Sequence, residues 1–242
     1  MKKIILISGD PNSINSELIY KSLKKISKKV KRKIYLISNL NLMKSQLKKI
    51  NYKLNLSIVK NINEEIKNDD IKLINLKLNF RNPFKVDKKE ASSFVLKSLN
   101  LAHNIASKRK DVGIINCPIN KELLKKKIGV TEYLSLKSKI KDNNVAMLIK
   151  NEKLAVCPIT THVDIKNISK KINQEKIIQK ISSINFWYKK KFKKKPIFAV
   201  LGLNPHNAEL RKNSEENKII VPVITKLKKR GFFIKGPLVA DT

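Results

Sequence analysis

The chain has 242 residues, of which 41% are hydrophobic and 30% are charged. This is enough apolar content for one large α/β unit or two small domains. Membrane-spanning proteins are excluded, because no apolar run approaches the roughly 18 residues that a spanning helix needs. The apolar run at 4–7 ends at Gly9-Asp10-Pro11 and is too short for a signal peptide, so we expect a cytoplasmic protein.

The formal net charge is +35, from 54 Lys and Arg against 19 Asp and Glu. Dense positive charge can bind the phosphates of nucleic acids. The excess is mostly Lys beside many Ile and Asn, a mixture that AT-rich coding sequence produces, and the lysines are scattered along the chain. Only residues 189–195 form a dense block, at the end of a predicted helix, where cations suit the helix dipole. We therefore favour compositional drift over a nucleic-acid role.

Strands and helices alternate in the first half of the chain. Apolar runs predict strands at 3–8, 33–37 and 112–115, and helical spacing places Leu18, Ile19, Leu23 and Ile26 on one face of a helix after the first strand. Residues 91–107 are predicted to form a second amphipathic helix. No secondary structure is predicted for residues 44–90.

The second half of the chain shows the same alternation. Strands are predicted at 144–149, 154–159, 197–201 and 232–234, and helices at 174–191 and 215–229, the latter beginning near Pro222. Ile177, Ile178, Ile181, Ile184 and Trp187 are expected to face inward. The alternation predicts a three-layer α/β/α fold with a mainly parallel sheet. We place a two-lobe division near residue 125, which gives a first α/β lobe at 1–125 and a second at 126–242.

Two of the three histidines follow predicted strands directly. His162 follows the strand at 154–159 and His206 follows the strand at 197–201. If these strands are neighbours, the two imidazoles converge at the carboxyl edge of the sheet, where open α/β folds bind ligands. Such a pair forms part of a site for Zn²⁺, Co²⁺ or a similar ion. His103 lies within a predicted helix and is interpreted as a packing or surface residue.

Other polar positions have structural interpretations. Cys117 and Cys157 fit no paired metal or redox spacing, so both are expected to be buried free thiols. The loop at 9–13 lacks the P-loop and Rossmann glycine patterns, and we interpret Asn12 or Ser13 as the N-cap of the next helix.

Several of these segments resemble one enzyme family. They come in the family's order, over essentially the whole chain, and the last two are the most specific: Ser8-Gly9-Asp10-Pro11, Gly129-Val130-Thr131-Glu132-Tyr133, Thr160-Thr161-His162, Gly202-Leu203-Asn204-Pro205-His206 and Gly236-Pro237-Leu238-Val239-Ala240-Asp241-Thr242. The family is that of the 4-hydroxythreonine-4-phosphate dehydrogenases of vitamin B6 (pyridoxine, pyridoxal phosphate) biosynthesis. The resemblance implies a fold related to isocitrate and isopropylmalate dehydrogenases.

The resemblance also implies an activity and its cofactors. It implies NAD-dependent oxidation and decarboxylation of 4-phosphohydroxy-L-threonine by a cytoplasmic homodimer that uses a divalent metal such as Zn, Co or Mg. His162 and His206 match two metal ligands of the family. Val130 and Thr131 match its substrate-binding positions, and no catalytic residue is assigned.

The sequence departs from the family pattern at important positions. Val130 replaces a family histidine and can neither donate nor accept a hydrogen bond. The family's chain also continues beyond the Ala-Asp-Thr segment, with its third metal histidine and much of its NAD site, so we expect an incomplete fold at the C-terminus. Three hypotheses remain open: an enzyme that is incomplete alone, a non-catalytic remnant that keeps the fold and weak metal or phosphate binding, and a basic nucleic-acid-binding protein.

Overall fold

The computed structural model describes residues 3–124, 128–139, 144–161 and 163–240. The chain divides into two compact units, Met1–Lys139 and Ile140–Thr242. The lobe boundary drawn from the sequence lies near residue 125, within the first of these units. Of the helices in the described ranges, none is both long enough and apolar enough to cross a lipid bilayer.

The first unit is built on a parallel sheet. Its elements are β1 (Lys3–Ile7), α1 (Asn15–Lys25), α2 (Lys28–Lys31), β2 (Ile34–Ser38), α3 (Leu40–Lys49), β3 (Leu56–Ile58), β4 (Ile71–Asn75), α4 (Lys88–Ser107), β5 (Val112–Asn116) and α5 (Val130–Lys137). Within the described residues, five strands pair in the order β3-β4-β2-β1-β5, and every pairing is parallel. The strands predicted at 3–8, 33–37 and 112–115 and the helix predicted at 91–107 are confirmed.

Helices cover both faces of this sheet. Alternate residues of β1 and β2, such as Ile7 and Tyr35, pack against α4, while Leu36 on the opposite face packs against α1 and α3. Every residue of β2 is buried, as expected of a central parallel strand. The predicted three-layer arrangement is therefore confirmed in this unit.

The second unit has smaller sheets. Its elements are β6 (Ile149–Lys150), β7 (Ala155–Val156), α6 (Ile168–Lys171), α7 (Gln174–Phe192), β8 (Ile197–Leu201), a π-helical turn at Glu216–Ile220, α8 (Val221–Lys229) and β9 (Phe233–Leu238). Strands β8 and β9 pair in parallel, whereas β6 and β7 pair antiparallel. The helix predicted near Pro222 is confirmed, since α8 begins at Val221 with the proline in its first turn.

The prediction of two buried strands at 144–149 and 154–159 is wrong. Only Ile149 of the first range and Ala155 and Val156 of the second lie in strands, and these strands pair as a short hairpin in which Ile149 and Val156 are exposed. The Asn151 side chain reverses the chain between them, because its Oδ1 accepts hydrogen bonds from the amides of Lys153 (2.9 Å) and Leu154 (2.7 Å).

The core of the second unit lies between its two long helices and one face of β8 and β9. Ile177 and Ile181 of α7 and Leu227 of α8 are buried there. Trp187, predicted to face inward, is 41% exposed. The inward stripe of α7 ends at Ile184, and Trp187 instead makes an edge-to-face contact with Phe192, with ring centroids 5.1 Å apart.

Candidate functional site

The loop that carries His206 follows β8 and is held by a buried carboxylate. The amides of Leu203 and Asn204 donate hydrogen bonds to Oε1 of Glu216, at 2.9 and 2.8 Å. The Nδ2 of Asn204 donates to the same oxygen at 3.2 Å. Glu216 is fully buried, so these donors replace the water that an ionised carboxylate would otherwise need. The carboxylate thus fixes the backbone just before His206.

The protonation of Glu216 follows from the same contacts. Burial alone would raise its pKa, since a carboxylate loses hydration in the interior. The hydrogen bonds donated by Asn204 and Leu203, together with the residue's own amide, outweigh burial and lower the pKa of Glu216 below its ordinary value. The group is therefore an anion around neutral pH.

The other side of the loop is held by the end of β9. Asn207 is buried and donates from Nδ2 to the carbonyl of Pro237 at 3.2 Å, and the amide of Ala240 donates to the carbonyl of Pro205 at 3.2 Å. Gly202 is required here, because a side chain at this position would collide with Oδ1 of Asn207. The two most specific segments of the sequence, 202–206 and 236–242, therefore meet through their described residues.

His206 lies at the surface where this loop turns. It is exposed and directly precedes a short 3₁₀ turn at Asn207–Leu210. Asn207, Ala208 and Glu209 all adopt left-handed backbone conformations, with φ of 56°, 46° and 51°. Such conformations are strained for residues other than glycine, by about 1–3 kcal/mol each, and they often occur at functional sites. The contacts of Glu216 and Asn207 provide rigid support on the N-terminal side of this turn.

The second predicted metal ligand, His162, lies outside the described residues. The expectation that the two histidines converge required the strands before them to be neighbours. Within the described part of the chain these strands are not neighbours, since β7 pairs only with β6 and β8 only with β9. The convergence of the two imidazoles itself stays a prediction. The described residues also contain no group of three or more His, Cys, Asp or Glu side chains that could hold a metal ion. His206 alone is not a metal site, so no chemical step is assigned to a metal.

The predicted substrate-binding residues begin α5 in the first unit. Gly129 is the N-cap, and the carboxylate of Glu132 folds back over it. Val130 is partly buried and packs against the hydrophobic core beside α4. Thr131 is exposed in the first turn, where its hydroxyl and the helix dipole favour an anionic group. Only Thr131 of this pair presents a polar side chain.

The loop after β1 is tied to other segments by amide side chains. Nδ2 of Asn15 donates to the carbonyls of Ser8 (2.9 Å) and Pro118 (2.8 Å), which joins the ends of β1 and β5. Asn12 pairs with the backbone of Val86 in both directions, at 2.7 and 2.9 Å. The predicted N-cap at Asn12 or Ser13 is wrong, because α1 starts after Ile14 without a side-chain cap. The side-chain amide of Asn12 instead binds the backbone of Val86.

Neither cysteine has the environment of a nucleophile. Cys117 is buried at the end of β5, and burial raises the pKa of its thiol to about 11. Cys157 is only partly buried, so the prediction of a buried thiol fails there, and burial still raises its pKa. Both remain free thiols, as expected.

The sequence predicted the role of one further polar residue and missed two others, namely Glu216 and Asn15. His103 was expected to be a packing or surface residue, and its Nε2 lies 2.9 Å from the hydroxyl of Ser138. Glu216 and Asn15 were not singled out. The one sequence signal that could have pointed to Glu216 is its position, because it is an acidic residue in a polar stretch just before a predicted apolar helix.

Comparison with known proteins gives a consistent result. The family described as Pyridoxal phosphate biosynthetic protein PdxA matches residues 11–242. The 4-hydroxythreonine-4-phosphate dehydrogenase of Sulfurihydrogenibium sp. (strain YO3AOP1) is 34% identical over 248 residues, which cover 100% of this chain and 76% of that protein. The enzyme of the same name from Aquifex aeolicus (strain VF5) is 40% identical over 134 residues, or 53% of this chain and 41% of that protein.

A solved structure supports the same relationship. The crystal structure of 4-hydroxythreonine-4-phosphate dehydrogenase from Klebsiella pneumoniae matches with a TM-score of 0.85 and 25% identity, over 99% of this chain and 75% of that chain. The predicted α/β fold with a mainly parallel sheet is therefore confirmed. The chain spans between two fifths and about three quarters of the length of these relatives.

Proposed function

Because the chain belongs to the PdxA family of pyridoxal phosphate biosynthetic proteins, we propose that it acts in that biosynthesis as a 4-hydroxythreonine-4-phosphate dehydrogenase. The observation that carries this proposal is the 34% identity to a dehydrogenase of that name along the whole of this chain. The proposed reaction is the NAD-dependent oxidation of 4-phosphohydroxy-L-threonine, followed by decarboxylation. Because the chain covers only part of its relatives, we propose that the activity needs the remaining part of the fold.

The proposed reaction balances with NAD as the oxidant. The carbon that bears the substrate hydroxyl loses a hydride, which bound NAD would accept, and the hydroxyl proton passes to a base. The product is a β-keto acid, which readily loses CO₂. Thr131 supports the binding step, since its exposed hydroxyl lies in the first turn of α5, where an anionic substrate group is favoured.

A divalent metal remains part of the proposal, with His206 and His162 as two ligands. We expect His206→Ala and His162→Ala each to weaken the binding of Co²⁺ or Zn²⁺ at least tenfold, measured by calorimetry and by the visible spectrum of the Co²⁺ form. His103→Ala is the control, because this imidazole is engaged with Ser138 in the first unit. Equal metal affinity in the three variants would reject the assignment.

One observation favours a second candidate, a non-catalytic member of the family. Val130 stands where the family motif has a histidine, and its side chain packs against the core. It cannot replace the hydrogen bonds of an imidazole to a substrate. A protein that keeps the fold and binds phosphate or metal weakly, without turnover, fits this feature.

Formation of NADH from 4-phosphohydroxy-L-threonine separates these functions. We expect little or no NADH from the chain alone with Zn²⁺, Co²⁺ or Mg²⁺, and measurable NADH after addition of the part of the Sulfurihydrogenibium relative that lies outside the matched stretch. No NADH under either condition would favour the non-catalytic candidate. Steeply salt-dependent binding of DNA or RNA, with no substrate binding, would favour the basic nucleic-acid-binding protein instead.

A further inference from the structure

Exposed aromatic rings are concentrated in one place on the described surface. Of the Phe, Tyr and Trp side chains in the described residues, four are exposed, namely Phe186, Trp187, Phe192 and Phe233. The first three lie in the last two turns of α7, and the ring centre of the fourth is 5.7 Å from the ammonium group of Lys195. Exposed apolar surface that is gathered in one patch and bordered by polar groups commonly marks a binding site.

A dense block of positive charge lies at the same end of α7. Residues 189–195 contain six lysines and no acidic residue, and all six lysines are exposed. None of the ion pairs found among the described residues includes one of these lysines, so their charge is available to an anion. We refer to the rings of Phe186, Trp187 and Phe192 together with the lysines of residues 189–195 as the α7 patch.

Compositional drift explains the lysines of this patch but not its tryptophan. Lysine and phenylalanine have AT-rich codons, so drift can place both at many positions. Tryptophan has a G-rich codon, which drift towards AT removes, yet the chain keeps one Trp, at position 187. Tryptophan is highly buried on average in folded proteins. The 41% exposure of Trp187 therefore indicates a role in binding rather than in the core.

Rings and cations share the same faces of the helix. Phe186 and Lys190 are four residues apart, and the ammonium group lies 5.5 Å from the ring centre. Trp187 and Lys191 have the same spacing, which makes them neighbours on the helix surface. The buried stripe of α7 ends before them, at Ile184. A helix that lies on a membrane instead separates an apolar face from a charged one. The mixed pattern favours single-stranded nucleic acid, whose bases stack on aromatic rings while its phosphates attract lysines.

We infer that the α7 patch binds single-stranded nucleic acid, with bases stacked on Phe186 and Trp187 and phosphates bound by the lysines of residues 189–195. Phe192 holds the indole of Trp187 by an edge-to-face contact, with ring centroids 5.1 Å apart, and the indole still remains exposed. The inference does not depend on the proposed dehydrogenase. It adds a second binding surface to that function, and neither replaces the other.

The fluorescence of Trp187 in the intact 242-residue chain reports binding at this patch directly, because the chain has one tryptophan. The probes are oligo(dT) and oligo(U) of about twelve nucleotides, a length within the range of single-strand-binding sites. We expect at least one of the two strands to quench the fluorescence, with an affinity that falls as NaCl is raised. A DNA duplex with the same number of phosphates should cause little quenching, because its bases are stacked inside the helix.

Aromatic variants test the contribution of the rings. Phe186→Ala combined with Trp187→Ala should weaken the binding of fluorescein-labelled oligo(dT) at least tenfold, measured by anisotropy. Trp187→Phe keeps an aromatic ring and should bind within about twofold of the parent chain, because stacking tolerates a change of ring. Both positions are exposed, so these changes should leave thermal unfolding nearly unchanged.

Lysine variants test the location of the charge. Lys190→Gln combined with Lys191→Gln should weaken binding at least fivefold and reduce its dependence on NaCl. Lys48→Gln combined with Lys49→Gln is the matched control, because these lysines occupy the last turn of α3, which contains no aromatic residue. The control should change the affinity by less than about twofold.

Four results would overturn the inference. Equal binding of duplex and single strands without quenching would leave only general charge attraction, and absence of binding would remove the proposed ligand. Equal weakening by the α3 control would remove the proposed location. Quenching by vesicles of phosphatidylserine, but by neither oligonucleotide, would assign the patch to a membrane surface. Formation of NADH tests the dehydrogenase alone, so the two proposals fail separately.

Discussion

Two strands of similar apolar sequence, β2 and β8, have different surroundings in the two units. Residues 34–38 read Ile-Tyr-Leu-Ile-Ser and are all buried, because α1 and α3 cover one face of the first sheet and α4 covers the other. Residues 197–201 read Ile-Phe-Ala-Val-Leu, and alternate side chains are exposed. Among the described residues, α7, α8 and the π-helical turn before α8 cover one face of this second sheet. The apolar sequence of a strand thus shows that the strand suits burial on both faces. The elements that pack against it determine which faces are buried.

This difference predicts which unit depends most on internal packing. In the first unit, a truncated core side chain leaves a cavity enclosed by two layers of helices and a sheet. In the second unit, the outer positions of β8 already contact solvent, so truncation there removes little packing. Substitutions of the same residue type at buried and exposed positions measure the contrast.

The largest effect is expected for Leu99→Ala in α4. Leu99 is fully buried in the core of the first unit, and its truncation should lower the free energy of unfolding by about 2–5 kcal/mol. Denaturant unfolding, followed by labelling of the buried thiol of Cys117, measures this loss within the same unit. Leu136→Ala, at a position 64% exposed, is the control and should change the stability by less than about 0.5 kcal/mol. Equal losses of stability in the two variants would contradict the burial of Leu99 in the core of the first unit.

Much of the first unit could be predicted from its sequence because its signals are local. The strands at 3–7 and 112–116 are short apolar runs that end in polar turns, and α4 has a clear apolar stripe. Residues 44–90 gave no such signal. Strand β3 is only three residues long, and β4 contains the buried Lys72, whose ammonium group pairs with Glu65 at 2.6 Å. An alternation rule cannot anticipate a buried lysine that pairs with a carboxylate in the loop before its strand.

The loop that carries His206 could be recognised in the sequence, but the contacts that hold it could not. The segment at 202–206 was recognisable, whereas Glu216 depends on backbone amides 12 and 13 residues earlier, which no sequence spacing specifies. The predicted strand before His162 failed for a related reason. Apolar residues at 154–159 indicated burial, but only Ala155 and Val156 form a strand, in the short hairpin that follows the Asn151 turn.

An intermediate effect is expected for Glu216→Gln. The substitution keeps the size of the side chain but removes the charge that three N–H groups of residues 203 and 204 stabilise, so we expect a loss of about 1–3 kcal/mol. Hydrogen exchange at the amides of Leu203 and Asn204 should accelerate. Glu215→Gln is the matched control, because its side chain is less buried, and it should leave both amides unchanged.

The effect of Glu216→Gln should also depend on pH in a defined direction. Because the pKa of Glu216 is lowered in the folded chain, its stabilising contribution is fully present above the ordinary value of 4.5 and is lost as the pH falls through the lowered value. The stability difference between the parent chain and the variant should therefore be largest near neutral pH and shrink below pH 4.5. A difference that stays constant to lower pH would mean that the carboxylate charge is not what holds the loop.

The smallest change in stability is expected on the exposed face of β8. Two substitutions on opposite faces of this strand give the most direct comparison. Val200→Thr places a hydroxyl in the core beneath α8 and should lower the free energy of unfolding by about 1 kcal/mol or more, because that hydroxyl loses its hydration. Ile197→Thr lies three residues earlier on the exposed face and should change the stability by less than about 0.5 kcal/mol, since threonine suits a strand and the isoleucine is already in contact with water. Thermal unfolding of the two variants measures the contrast. A loss of stability at Ile197 as large as that at Val200 would mean that the exposed face of β8 is already covered in the isolated chain. The two units would then not differ in how their strands are buried.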